Sequence, residues 1–100
     1  MESASKLPEQ AVANSWKFSG VYPNPGSGAA TVNVTSPTAT RMTIDVVNVS
    51  GQVLSTRTEQ VVEGLRTISL PVDRLSRGAY LIRFRDAEGN VLNTQHYTRN

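Results

Sequence analysis

Short runs of alternating apolar and polar residues, each closed by a turn built from glycine, proline, asparagine or serine, constrain this chain more than any other feature. A period of two sends neighbouring side chains to opposite faces, which a half-buried strand needs and a helix cannot use. The pattern occurs seven times, at residues 16–22, 31–35, 42–47, 52–56, 66–70, 79–84 and 91–98. Val32, Val34, Ile44, Val46, Ile68, Leu70, Tyr80, Ile82 and Phe84 lie on the apolar side of their own runs and make up the predicted core. Turn signals recur roughly every eight to twelve residues and no run has a helical period, so the chain is expected to be all-β. The specific expectation is an immunoglobulin-like, seven-stranded antiparallel β-sandwich with Greek-key connections.

The turns are as informative as the strands. Tyr22-Pro23-Asn24-Pro25 is a corner in which each proline fixes its own backbone and restricts the residue before it, and Gly26 and Gly28 then release the chain. Asn48-Val49-Ser50-Gly51 closes a hairpin: the Asn48 side chain can bond turn amides while Gly51 takes a left-handed angle. Leu75-Ser76-Arg77-Gly78-Ala79-Tyr80 runs a polar turn straight into a strand, with Gly78 at a strained backbone position and the Tyr80 hydroxyl capping nearby backbone.

Composition limits the chemistry. A chain of 100 residues makes one domain, so a catalytic cleft would have to sit on a single small scaffold. The net charge is only +2 and the arginines are scattered, which argues against nucleic acid because phosphate binding needs a concentrated basic surface. With no cysteine there is no disulfide, thiolate or cysteine metal site. His96 is the sole histidine and has no second ligand at metal spacing, so a structural role is expected. Asp45, Asp73, Asp86 and Glu88 lack the dense oxygen pattern of a calcium loop and read as turn caps. Trp16, Phe18 and Tyr97 are the aromatics that could stack on sugar rings, each competing with a place in the core. Neither a metal, a cofactor nor an enzymatic activity is expected.

Residues 1–15 carry no sustained period and read as a linker or a segment supplied with Met1 for expression, leaving 16–100 as the folded unit. Two origins fit this: a complete cytosolic protein, or a piece of a longer exported chain.

The three turns, in this order and followed by a final strand and Arg99, resemble the C-terminal sorting domain of type IX secretion cargo proteins. The resemblance covers residues from about 18 to 100 and rests on Tyr22, Pro23, Asn24 and Pro25, on Asn48 and Gly51, on Leu75, Gly78 and Tyr80, and on the basic Arg99. It implies an immunoglobulin-like module at the end of an exported Gram-negative protein, which crosses the inner membrane on a signal peptide and then presents this domain to an outer-membrane translocon. It also implies that a sortase-like cysteine protease removes the domain and joins the cargo to an anionic lipopolysaccharide. The cut would fall upstream of the proline corner, between Glu2 and Ser15.

Two departures from the family stand out. Asn48 replaces the usual aspartate, keeping the capping oxygen without its charge, and the end is less basic, with Arg99 where lysines are common. Arg99 and Asn100 are expected to lie beyond the packed part of the last strand, so that removing them costs less than about 0.5 kcal/mol. The immunoglobulin-like domain of flagellar hook-capping proteins is a related likeness that lacks the proline corner. The reading from a different class is a structural, adhesive or carbohydrate-binding accessory module of a secreted hydrolase.

Overall fold

The computed structural model describes residues 15–100. Apart from Ser15, the expected linker and the expected protease cut lie outside the described residues. Within them the chain is all-β, with seven strands and no helix: β1 (Lys17–Phe18), β2 (Ala30–Ser36), β3 (Thr40–Asn48), β4 (Val53–Val61), β5 (Gly64–Leu70), β6 (Gly78–Arg85) and β7 (Val91–Arg99). They form two antiparallel sheets, one ordered β1-β2-β5 and the other β4-β3-β6-β7.

The alternation seen in the sequence is what the sheets bury, except in the 52–56 run, where Val53 and Leu54 are both exposed. All nine predicted core residues are buried, joined by Met42, Val61, Val72 and Tyr97 in a single cluster drawn from both sheets. Phe18 of the smaller sheet meets Phe84 of the larger at 4.9 Å between ring centroids, and Trp16 stacks on Phe18 at 6.1 Å.

Two strands depart from expectation. The first run is regular only at β1 and returns to β2 at a lone Tyr22–Thr31 bridge, because between them the Ser19 carbonyl and the Val21 amide bond the Gln95 side chain, and beyond Tyr22 the prolines have no N–H to continue a ladder. β4 runs on to Val61, through Arg57-Thr58-Glu59-Gln60, which has no apolar alternation to mark it. There it is an edge strand tied to the edge of the other sheet by side chains: Arg57 donates to the Ser69 carbonyl and Arg66 to the Gln60 carbonyl. Glu59 pairs with Arg57 at 3.0 Å and with Arg66 at 3.6 Å. Charges placed along an edge discourage pairing with another chain.

Asp45 corrects a second expectation. It caps no turn; it sits mid-strand in β3 with 1% of its surface exposed and accepts from Thr56 Oγ1 at 2.9 Å, Arg83 Nε at 3.0 Å and Arg85 Nε at 2.8 Å. Asp86 does cap its turn, accepting from the Glu88 and Asn90 amides at 3.0 and 2.8 Å.

Gly78 has a φ of 149°, which a side chain rarely adopts, although a Cβ there would meet nothing closer than 3.9 Å. The backbone angle alone is therefore the constraint. Gly78→Val should destabilise the domain by roughly 1–3 kcal/mol in thermal unfolding.

Candidate functional site

The ladder register gathers the three turns at one end of the four-stranded sheet. Asn48 of β3 pairs with Tyr80 of β6, and Tyr80 pairs with Tyr97 of β7. With neighbouring strands about 4.8 Å apart, the 48–51 turn, the entry to β6 and the exit of β7 stand side by side.

Each turn is held by its own chemistry. In the hairpin, Asn48 Oδ1 accepts from the Ser50 and Gln52 amides at 3.1 and 2.9 Å and from Ser50 Oγ at 2.8 Å, while the Gly51 amide donates to the Asn48 carbonyl at 3.0 Å. An aspartate would accept the same bonds, so exchanging it for asparagine leaves this turn intact. At the entry to β6 the Tyr80 hydroxyl donates to the Ser76 carbonyl at 2.6 Å, and Leu75 packs against the core. The ring therefore anchors the turn that Gly78 bends.

The proline corner joins this end by lying against the outer edge of β7. Its Tyr22–Pro23 and Asn24–Pro25 peptides are both cis. Asn24 Nδ2 donates to the His96 carbonyl at 2.8 Å and Asn24 Oδ1 accepts from the Thr98 amide at 3.1 Å, so one side-chain amide occupies the place of a strand residue. Gly26 continues the ladder: its amide donates to the Thr98 carbonyl at 2.9 Å, and its carbonyl accepts from the Asn100 amide at 2.8 Å. In the reverse direction, Gln95 of β7 donates to the Ser19 carbonyl at 2.7 Å and accepts from the Val21 amide at 2.9 Å.

Gly26 is buried rather than loose. A Cβ there would lie 2.5 Å from Tyr97 Oη and 2.9 Å from the Pro23 carbonyl, so only glycine lets the corner seat on β7. Tyr97 is wholly buried beneath it, which removes Tyr97 from the aromatics that could stack on a sugar.

Arg99 is likewise no loose end. It belongs to β7, pairs with Gly78, and its guanidinium donates to the Asp73 carbonyl at 3.4 Å. Removing Arg99 and Asn100 takes away this bond and the Asn100–Gly26 bond. The expected cost in chemical denaturation is therefore about 1–2 kcal/mol, above the value expected from sequence.

The structure thus brings the three motifs together and adds Gly26, Gln95 and Tyr97, but Tyr22 itself turns to β2, where it bridges Thr31 and its hydroxyl donates to Asn33 Oδ1 at 3.1 Å. Gln95 and Tyr97 share a strand face, but their contacts to the corner span more than seventy residues and leave no local signal. The assembly offers shaped backbone, side-chain amides and exposed side chains, the features of a recognition surface.

A family model described as a secretion system C-terminal sorting domain matches residues 20–96. The chain belongs to this family. No curated protein matches it. Membership identifies the sorting domain as a C-terminal signal for type IX secretion cargo, and the family is one of sorting signals rather than enzymes. The sorting domain engages the secretion machinery, and the cargo that carries it is exported, to the cell surface or beyond it.

Proposed function

We propose that the motif-bearing end of the four-stranded sheet is the surface by which the type IX outer-membrane translocon reads this sorting domain. The observation that carries this reading is the convergence of three motifs, far apart in sequence, on adjacent strand ends. A core needs no such gathering of turns; a single recognition surface does. The residues proposed to build it are Tyr22, Pro23, Asn24, Pro25, Asn48, Gly51, Leu75, Gly78, Tyr80 and Arg99.

The folded unit in this reading is residues 16–100, with 1–15 as the exposed linker that a sortase-like cysteine protease cuts before cargo is joined to anionic lipopolysaccharide. Cargo waits folded in the periplasm and leaves through the translocon. The strand orders β1-β2-β5 and β4-β3-β6-β7, with a tyrosine hydroxyl bonded four residues upstream at the entry to β6, support an immunoglobulin-like sandwich with Greek-key connections.

The test is a reporter carrying a signal peptide and fused to residues 16–100. In a type IX host it should reach the surface or medium, and in the same host without the translocon it should stay in the periplasm. Retention in both hosts would overturn the reading.

A further inference from the structure

The two long edges of the molecule are closed in different ways. β4 and β5 are tied by arginines and Glu59, whereas β7 is covered by one neutral side-chain amide and one glycine. Asn24 and Gly26 occupy the His96 carbonyl, the Thr98 amide and carbonyl, and the Asn100 amide, a continuous row of edge groups. Half of these four bonds come from a side chain imitating backbone. The flanking Pro23 and Pro25 have no N–H with which to lengthen the cover.

The seam beneath this cover is polar where the rest of the core is apolar. Asn93, Gln95, Tyr97 and Arg99 alternate along one face of β7. Tyr97 Oη and Arg99 Nε are buried there with no hydrogen-bond partner among the described residues, as is Asn93 Oδ1 further along the strand, opposite Phe84. These atoms add no protein hydrogen bond across the seam, which is closed by the Asn24, Gly26 and Gln95 bonds.

We propose that this seam opens when the sorting domain is engaged, and that the exposed edge of β7 receives an extended segment of the secretion machinery as an added strand. An incoming strand supplies from its backbone the four bonds now made by Asn24 and Gly26, and opening gives Tyr97 Oη and Arg99 Nε access to partners. The proposal rests on the sorting reading and specifies which edge the machinery takes.

Thr98→Pro tests it in the reporter fusion. The Thr98 N–H and carbonyl both face the corner, so proline deletes an edge donor while sparing the β6–β7 ladder. Thr58→Pro is the control on the opposite edge, because the Gln60 carbonyl two residues on faces outward to Arg66 and ladder alternation turns Thr58 the same way. The expected result is a folded Thr98→Pro fusion retained inside while Thr58→Pro is delivered. Delivery of Thr98→Pro at the unmodified rate would overturn the proposal and leave sorting intact; equal retention of both variants would overturn it too. Failure of the unmodified fusion to be delivered would instead overturn the sorting reading. Should Thr98→Pro not fold, amide exchange of the unmodified chain decides: Val21, Gly26, Thr98 and Asn100 should exchange about tenfold or more faster than Ile44 and Ile82. Equal rates would contradict an opening seam.

Discussion

Tyr97→Ala should destabilise the sorting domain by about 3–5 kcal/mol, enough to unfold much of a domain this small. The ring is wholly buried, lies directly under Gly26, and shares the core with Tyr80 and its neighbours. Its loss opens a cavity between β7 and the proline corner, so two of the three motifs lose their common support. Tyr97→Phe should behave in the opposite way. The hydroxyl has no partner among the described residues, so removing it should leave stability unchanged or raise it by up to about 1 kcal/mol. Chemical denaturation of both variants checks the pair, and a marked loss in Tyr97→Phe would show that the hydroxyl is bonded.

Asp45→Ala carries the second large effect. It leaves Arg83 and Arg85 facing each other without the carboxylate that holds both, and breaking a buried ion pair costs several kcal/mol. Both guanidiniums are about a third exposed, at 35% and 32%, so solvent screens part of that loss and about 2–3 kcal/mol is expected. Burial by itself would raise the Asp45 pKa, but hydrogen bonds from Arg85, Thr56 and Arg83, with the charge of Arg85, bring it below the ordinary carboxylate value. The folded state therefore binds this proton less readily than the unfolded chain. Its contribution is complete above the ordinary carboxylate range and fades as pH falls from there through the lowered value. Urea midpoints between neutral and strongly acid pH should fall less steeply in Asp45→Asn than in the unmodified chain; parallel curves would remove Asp45 as a source of the acid limb.

What could be read from the sequence follows from how each strand is buried. β2 and β6 bury one face in the core and leave most of the other half-buried, and β3 does the same as far as Ile44, so Val32, Ile44 and Ile82 announce themselves by alternation. The second half of β4 does not, because its partners are charges on a neighbouring edge and Arg57 and Glu59 look like loop residues. Asp45 was obscured for a related reason: a buried carboxylate is stable only with partners, and Arg83 and Arg85 lie some forty residues away. The motifs themselves were legible as turns through proline, glycine and asparagine. Their meeting was not, since it depends on the pairing of Tyr80 with both Asn48 and Tyr97 and on an amide reaching from Asn24 to β7.

Substitutions confined to exposed side chains separate recognition at this meeting of turns from folding. Val49 and Arg77 are exposed on two of the gathered turns, and Glu88 is exposed in the hairpin at the far end of β6 and β7. None should shift stability by more than about 0.5 kcal/mol. The measurement is the fraction of reporter reaching the surface of a type IX host, taken beside each variant's melting temperature. Val49→Glu combined with Arg77→Glu should keep its melting temperature and lose delivery, while Glu88→Lys keeps both. Equal delivery of the two, with folding intact, would contradict a recognition surface at the motif-bearing end.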